Sequence, residues 1–127
     1  MTFKLSQKSL DRLAGVHPDL VACVKRAIEI STVDFAVLEG VRSKARQEQL
    51  VAAGASQTMN SRHLTGHAVD LGAMVSGTVR WDWPLYFKVS DAMKKAAAEL
   101  GTPLEWGGDW KKFKDGPHFQ LPFKEYP

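Results

Sequence analysis

The chain has 127 residues, 44% of them hydrophobic and 24% charged, and a formal net charge of +3, which excludes a disordered or fibrous protein and fits one globular domain. It contains no run approaching the roughly 18 apolar residues of a membrane span, and Met1 to Ser6 lack the apolar run of a secretory signal. The mild positive charge favours an anionic partner, but no helix-turn-helix, zinc-finger or aromatic RNA-binding motif accompanies it.

We therefore expect no nucleic-acid partner, no stable membrane association, synthesis in the cytoplasm and a monomer. The single cysteine, Cys23, excludes an internal disulfide and is predicted to be a small core residue on a helix. No linker, repeat or shift in composition divides the chain, so we expect one domain over residues 1–127.

The first half of the chain predicts three helices and one strand. Ser6 can cap the first helix, Pro18 is placed to open the second, and Ser43 can cap the third. The first helix is predicted to end at about residue 14, the second to begin at residue 18, and the third to end at residue 53. A strand is predicted at 33–38 and a polar loop at 55–60.

The second half predicts mostly strands around one long helix. Pro84 begins this helix, which ends at Gly101. Strands are predicted over 68–75, 78–81, 102–106 and 118–121, and the tail after Leu121 is expected to extend the edge of the sheet. Early helices followed by strands favour an α+β fold, with helices packed on a small, mainly antiparallel sheet.

Two short segments concentrate the chemistry: S-R-H-L-T-G-H-A-V-D, which ends at Asp70, and D-G-P-H-F-Q, which begins at Asp115. A hydrolytic zinc site needs three protein ligands, an open position for water, and a base. His63, Asp70 and His118 can supply the ligands and Asp115 the base. The segments are the only candidates of this kind, because the chain has no H-E-x-x-H and no C-x-x-C.

Asp115 and His118 are three residues apart, a spacing that would place them on opposite faces of a regular strand. Gly116 and Pro117 lie between them and favour a kinked entry, so we expect both side chains to point to the same place. Taken singly, a loop histidine or an acid before Gly-Pro is commonly ordinary turn chemistry. Lys111, Lys112 and Lys114 precede Asp115 and are expected to lower its pKa, which would keep this base charged.

Other polar and aromatic residues lie beside these segments. Arg42 follows a predicted strand and could clamp a substrate carboxylate or carbonyl, or cap a helix. Ser61 could orient a ligand or water, or serve a turn. Trp106 and Trp110 could wall a substrate cleft or cover the edge of the core.

The motifs S-x-H-x-x-G-x-A-x-D, W-G-G-D-W and D-x-x-H, spread over residues 39–121, resemble those of zinc peptidases related to D-alanyl-D-alanine carboxypeptidases. More narrowly, they resemble phage endolysins that cut the L-alanyl-D-glutamate bond of peptidoglycan. The resemblance implies a hedgehog/DD-peptidase-like fold, Zn²⁺ held by His63, Asp70 and His118, Asp115 as catalytic base, and Arg42 as a substrate-binding residue of the active site. His67 falls at a variable position of the motif and is not carried over as a ligand.

The resemblance also implies a peptidoglycan substrate, one zinc peptidase domain without a separate wall-binding domain, and release to the wall by another, membrane-permeabilising protein. Such an enzyme would lyse cells and be antimicrobial. Two alternatives stay open: a D-alanyl-D-alanine carboxypeptidase, which the resemblance also allows and which would use the same metal chemistry, and a zinc-bearing interaction module without catalysis.

Overall fold

The computed structural model describes residues 3–56, 59, 61–112 and 114–127. Within these residues it contains four α-helices and five strands. The helices are α1 (Gln7–Arg12), α2 (Pro18–Ile30), α3 (Lys44–Ala52) and α4 (Trp83–Leu100). The strands are β1 (Asp34–Glu39), β2 (Ala68–Val75), β3 (Thr78–Arg80), β4 (Glu105–Trp106) and β5 (His118–Gln120).

The strands form one antiparallel sheet in the order β1-β2-β5-β4, and β3 pairs with the far end of β2. This confirms the α+β prediction. The local signals act as expected: the Ser6 and Ser43 side chains accept from backbone N–H groups at the starts of α1 and α3, and Gly101 ends α4 in the left-handed conformation at φ 68°.

One face of the sheet packs on α2 and α4 to form the core. On β2, Val69, Leu71 and Ala73 are at most 1% exposed, while Asp70 between them belongs to the opposite face. Cys23 of α2 is fully buried among these apolar side chains, as predicted. The apolar layer therefore leaves the second face of the sheet free to carry polar residues.

The tail differs from its prediction. Residues 121–127 add no strand to the sheet. The buried Arg62 side chain instead donates hydrogen bonds to the backbone oxygens of Leu121 and Tyr126, and its guanidinium lies 4.1 Å from the ring centre of Phe123. The tail is thus held by side-chain hydrogen bonds rather than by a ladder, with a second contact from the Tyr126 hydroxyl, which donates to Asp19 Oδ2 at 2.6 Å.

Among the described residues, none of the helices has the length and apolar character needed to cross a membrane. Of the loop predicted at 55–60, residues 57, 58 and 60 lie outside the described residues.

Candidate metal centre

Three neighbouring strands bring polar side chains into one row across the sheet. Asp70 of β2 lies directly opposite His118 of β5 and opposite Glu39 of β1. Residues opposite each other in antiparallel strands have neighbouring side chains on the same face. The register of the sheet thereby joins residues 39, 70 and 118 at one level.

A β-bulge puts Glu39 into this row. Val37 pairs with Leu71 and points into the core, but Glu39, two residues later, pairs with Asp70, only one residue back on β2. In a regular strand Glu39 would lie on the same face as Val37. The extra residue, Leu38, moves it to the face of Asp70, as bulges beside functional sites commonly do.

His63 comes from a short 3-10 turn, Arg62–Thr65, just before β2. The Ser61 hydroxyl accepts a hydrogen bond from the His63 N–H at 3.2 Å, so Ser61 serves the turn. Gly66 ends the turn at φ 76°, and a Cβ there would lie 2.5 Å from the backbone oxygen of Gly15. Glycine is required here by both conformation and space.

The three predicted ligands meet. His63 Nε2 and His118 Nδ1 each lie 3.2 Å from Asp70 Oδ1, and the two imidazole centres are 5.1 Å apart. One ligand atom from each residue fits within 4.8 Å of the others. Ligands at about 2.1 Å from a tetrahedral zinc ion would be about 3.4 Å apart, so the spacing suits one ion.

Hydrogen bonds at the far side of each ring fix which nitrogen faces the centre. His63 Nδ1 lies 2.8 Å from Gly40 O, which can only accept, so this nitrogen carries a proton, and in the neutral ring Nε2 is the nitrogen that keeps a lone pair for a metal. On the other ring, His118 Nε2 lies 2.7 Å from Gln120 Oε1. The Gln120 amide donates in turn to Glu105 Oε2 at 3.1 Å, which leaves Oε1 to accept from His118.

The charges of the centre are strongly coupled. Burial alone would raise the pKa of Asp70, but hydrogen bonds from His118 and His63 hold this pKa far below its ordinary value. For His118 the opposite holds: burial alone would lower its pKa, but the hydrogen bond and negative charge of Asp70 raise it. The Asp70 carboxylate is therefore placed to neutralise positive charge that lies beside it, on the imidazoles or on an ion between the three side chains.

Asp115 lines the same open cavity as the three predicted ligands, and this cavity has a volume of about 930 Å³. Burial raises the pKa of Asp115, and the negative charge of Asp70 adds to this effect. The expectation that neighbouring lysines lower this pKa is wrong. Lys112 and Lys114 are exposed, and water screens their charges, whereas the carboxyl itself is taken out of water.

The loop that carries Asp115 is held by Trp106. Its indole Nε1 donates a 2.7 Å hydrogen bond to Gly116 O, while the N–H of Asp115 donates to Gly107 O at 3.0 Å. A Cβ on Gly107 would lie 2.4 Å from Asp115 O, so only glycine permits this approach. Trp106 is 3% exposed and does not line the cavity, which corrects its assignment as a substrate-binding residue.

Trp110, Ser61 and Arg42 do line the cavity. The Trp110 ring lies 5.2 Å from that of His118, beside the centre. Arg42 is mostly committed to the protein: it donates to both carboxylate oxygens of Glu39 at 2.7 and 2.8 Å and to Gln47 Oε1 at 2.7 Å. Its Nη2 also lies 3.7 Å from Asp70 Oδ2, so the guanidinium forms a wall of the site.

The sequence reasoning missed four residues that support this site: Glu39, Gln47, Glu105 and Gln120. Gln120 had a visible signal, because it follows His118 by two positions and so shares its strand face. No sequence pattern indicated that Glu39 faces the site, because its orientation depends on the β-bulge.

The chain is similar to known proteins over most of its length. A protein-family model described as phage L-alanyl-D-glutamate peptidase matches residues 1–121. The L-alanyl-D-glutamate peptidase of Escherichia phage T5 is 35% identical over 119 residues, which cover 91% of this chain and 87% of the relative. That of Listeria phage A118 is 41% identical over 130 residues, covering 99% of this chain but 45% of the relative.

Two solved structures resemble the fold. The Serratia marcescens L-Ala D-Glu endopeptidase ChiX superposes with a TM-score of 0.93 and 53% identity, covering 100% of this chain and 94% of that one. The vancomycin-resistance D,D-dipeptidase VanXYg gives a TM-score of 0.56 at 19% identity, over 84% of this chain and 50% of its own, a likeness of fold alone.

Proposed function

Because this chain belongs to the phage L-alanyl-D-glutamate peptidase family and is a peptidoglycan metallopeptidase of that specificity, we propose that His63, Asp70 and His118 hold a catalytic zinc ion and that Asp115 is the base. The observation that carries this proposal is the meeting of three ligand atoms within 4.8 Å in a cavity that Asp115 also lines.

The donor set fits zinc. Two imidazole nitrogens and one carboxylate oxygen leave a fourth tetrahedral position for water, the pattern of catalytic rather than structural zinc sites. Both histidines are held in the tautomer that offers a lone pair to the centre. When bound, zinc would supply Lewis acidity, which polarises the scissile carbonyl and lowers the pKa of water towards about 7.

Asp115 moves the protons. Its carboxylate takes a proton from the attacking water as the oxygen bonds to the alanyl carbonyl carbon. The C–N bond then breaks, and the same carboxyl gives the proton to the leaving amine of D-glutamate. A base is most effective when its pKa lies near the working pH, so the raised pKa of Asp115 favours this role.

Arg42 and Trp110 shape the place where the substrate lies. Glu39 and Gln47 hold the Arg42 guanidinium in one orientation, with Nη2 nearest Asp70. A fixed cation there can stabilise negative charge that develops on the substrate carbonyl oxygen. Trp110 offers an aromatic wall beside His118, and Ser61 keeps His63 in place through the turn.

The test is digestion of purified peptidoglycan followed by product masses. The zinc-loaded protein should give stem peptides with a new D-glutamate amine and glycan-linked L-alanine with a free carboxyl, and a chelator should abolish both. Loss of terminal D-alanine instead would indicate a carboxypeptidase and overturn the proposal.

Two variants separate the roles of metal and base. Asp115→Asn should bind zinc but lose at least about 10²-fold in kcat, the usual contribution of a general base. His118→Ala should lose both zinc and activity. Asp109→Asn is the matched control, because Asp109 is exposed, pairs with Lys94 and does not line the cavity. Full activity of Asp115→Asn would remove it as the base.

We further propose that the enzyme acts as a monomeric single catalytic domain over residues 1–127, and that it reaches the wall after another protein permeabilises the membrane. Two relatives of the chain are peptidases of phages. Light scattering of the active enzyme tests the first point, and expression with and without a membrane-permeabilising protein tests the second.

A further inference from the structure

Four basic side chains line the cavity: Arg42, Arg62, Lys112 and Lys114. Both guanidinium groups are already occupied. Arg42 donates to Glu39 and Gln47, and Arg62 donates to the backbone oxygens of the tail. Neither arginine can turn to a new anion without breaking these bonds.

The two lysines differ from the arginines. Lys112 and Lys114 are exposed and, within the part of the chain that the structure describes, they make no hydrogen bond and no ion pair. Some cations elsewhere on the surface are paired, as Arg26 is with Glu99 and Lys94 with Asp109, at 2.7–2.8 Å, whereas others, such as Lys25 and Lys95, form no ion pair within the described residues. Lys112 and Lys114 are therefore distinguished by their place at the cavity. The cavity therefore carries two positive charges that no protein acid neutralises, one of them directly before Asp115.

The substrate has a matching charge. Hydrolysis of the L-alanyl-D-glutamate bond releases the nitrogen of D-glutamate, so this residue lies on the leaving side of the scissile bond. D-Glutamate has two carboxyl groups, and the rest of the stem peptide can be attached through only one of them. The other stays a free carboxylate unless it is amidated, within a few bonds of the reacting nitrogen.

We propose that Lys112 and Lys114 form a carboxylate subsite for the D-glutamate residue, so that the enzyme selects stem peptides in which this carboxyl is free over those in which it is amidated. This inference rests on the proposed function. An ammonium group on a flexible stem suits the task, because it attracts a carboxylate without demanding one fixed geometry. Attraction is strengthened where bound substrate displaces water from the cavity.

The test uses two synthetic stem peptides that differ only in a carboxylate or a carboxamide on the D-glutamate residue. The zinc-loaded wild type should show a kcat/KM about tenfold higher for the acid, from about threefold for each exposed charge pair. Lys112→Met and Lys114→Met should each lower kcat/KM for the acid about threefold, and the double variant should cut both peptides at the rate of the amide.

Lys111→Met is the matched control, since Lys111 carries the same charge in the same loop but does not line the cavity. It should keep the full preference for the acid. The preference should also shrink as salt is raised, because exposed charges are screened.

The outcomes separate the two ideas. Equal cleavage of both peptides by the wild type, or a preference retained in the double variant, would overturn the subsite and leave the peptidase activity standing. If the zinc-loaded wild type cuts neither peptide at the L-alanyl-D-glutamate bond, the proposed function fails and the subsite with it.

Discussion

The two histidines of the centre face the metal position through different nitrogens, Nε2 of His63 and Nδ1 of His118. The choice is set by the acceptor behind each ring, Gly40 O in one case and Gln120 Oε1 in the other. Without such an acceptor a neutral imidazole spends part of its time in the tautomer that presents N–H to the ion. We therefore expect these acceptors to raise the metal affinity of the proposed site without touching the metal.

Gln120→Leu tests this contribution. Leucine keeps the volume but removes the oxygen that accepts from His118, so we expect zinc affinity to fall about 10- to 100-fold. Competition against a chelator of known affinity measures the change. Gln49→Leu, an exposed glutamine on α3, is the control. Unchanged zinc affinity in Gln120→Leu would show that Gln120 does not orient His118.

The sequence predicted which side chains meet at the centre, but it did not predict the groups that surround them. Histidine and aspartate in these motifs predicted His63, Asp70 and His118, and their side chains do meet. Gly40 O could not be foreseen, because a backbone carbonyl leaves no mark on the sequence. The pKa of Asp115 was misjudged because adjacency to lysines is visible in a sequence, whereas burial is not.

Among the elements, those fixed by local chemistry were predicted best. Caps and turn residues gave the starts of α1, α2 and α3, and a mostly apolar run gave β2. Elements that depend on distant partners were predicted less well: the strand expected at 102–106 is only Glu105–Trp106, because only these residues pair with β5. The bulge at Leu38 likewise depends on pairing with β2.

The loop before β5 shows what such tertiary contacts do for function. Trp106 donates to Gly116 O and stacks on Phe119, so it fixes the loop at a point next to Asp115. Trp106→Phe keeps an aromatic ring in the core but leaves Gly116 O unpaired, at a cost of about 1–3 kcal/mol. We expect kcat to fall about tenfold while zinc affinity stays within about twofold, because a 1 Å displacement of a catalytic group is costly.

Titration with zinc and steady-state kinetics on the same variant separate these effects. Tyr126→Phe is the control, since it also removes one hydrogen bond, from the Tyr126 hydroxyl to Asp19, and Tyr126 does not line the cavity. Equal losses of zinc affinity and kcat in Trp106→Phe would mean that the indole supports the whole centre rather than the Asp115 loop.

Considered as a whole, the molecule assembles its centre from residues far apart in the chain. Asp70 and His118 are separated by 48 positions and meet only through the β2–β5 register. Alternation shows which residues share a face, but not which strands are neighbours or how they are aligned. The meeting of the two motifs was therefore anticipated through resemblance, and its physical cause is the sheet.

This assembly should make the stability of the zinc-free protein fall as pH rises above about 6.5, and bound zinc should oppose that fall. With zinc chelated, the pKa of Asp70 is lowered, so its contribution is present above its unfolded pKa of about 3.9 and is lost as pH falls towards its folded pKa. The pKa of His118 is raised, so its contribution is present below about 6.5 and is lost as pH rises through its folded pKa. The pKa of Asp115 is also raised, so its contribution to stability likewise decreases as pH rises.

We therefore expect the Tm of the chelated protein to fall as pH is raised from about 6.5 to 8. Zinc competes with protons for His118, so the increase in Tm on adding zinc should grow over the same range. Calorimetry with zinc and with chelator measures both trends. His118→Gln, which removes the titrating ring, should flatten the slope of the chelated protein. A Tm that rises with pH in the chelated wild type would contradict the coupling between His118 and Asp70 on which the centre depends.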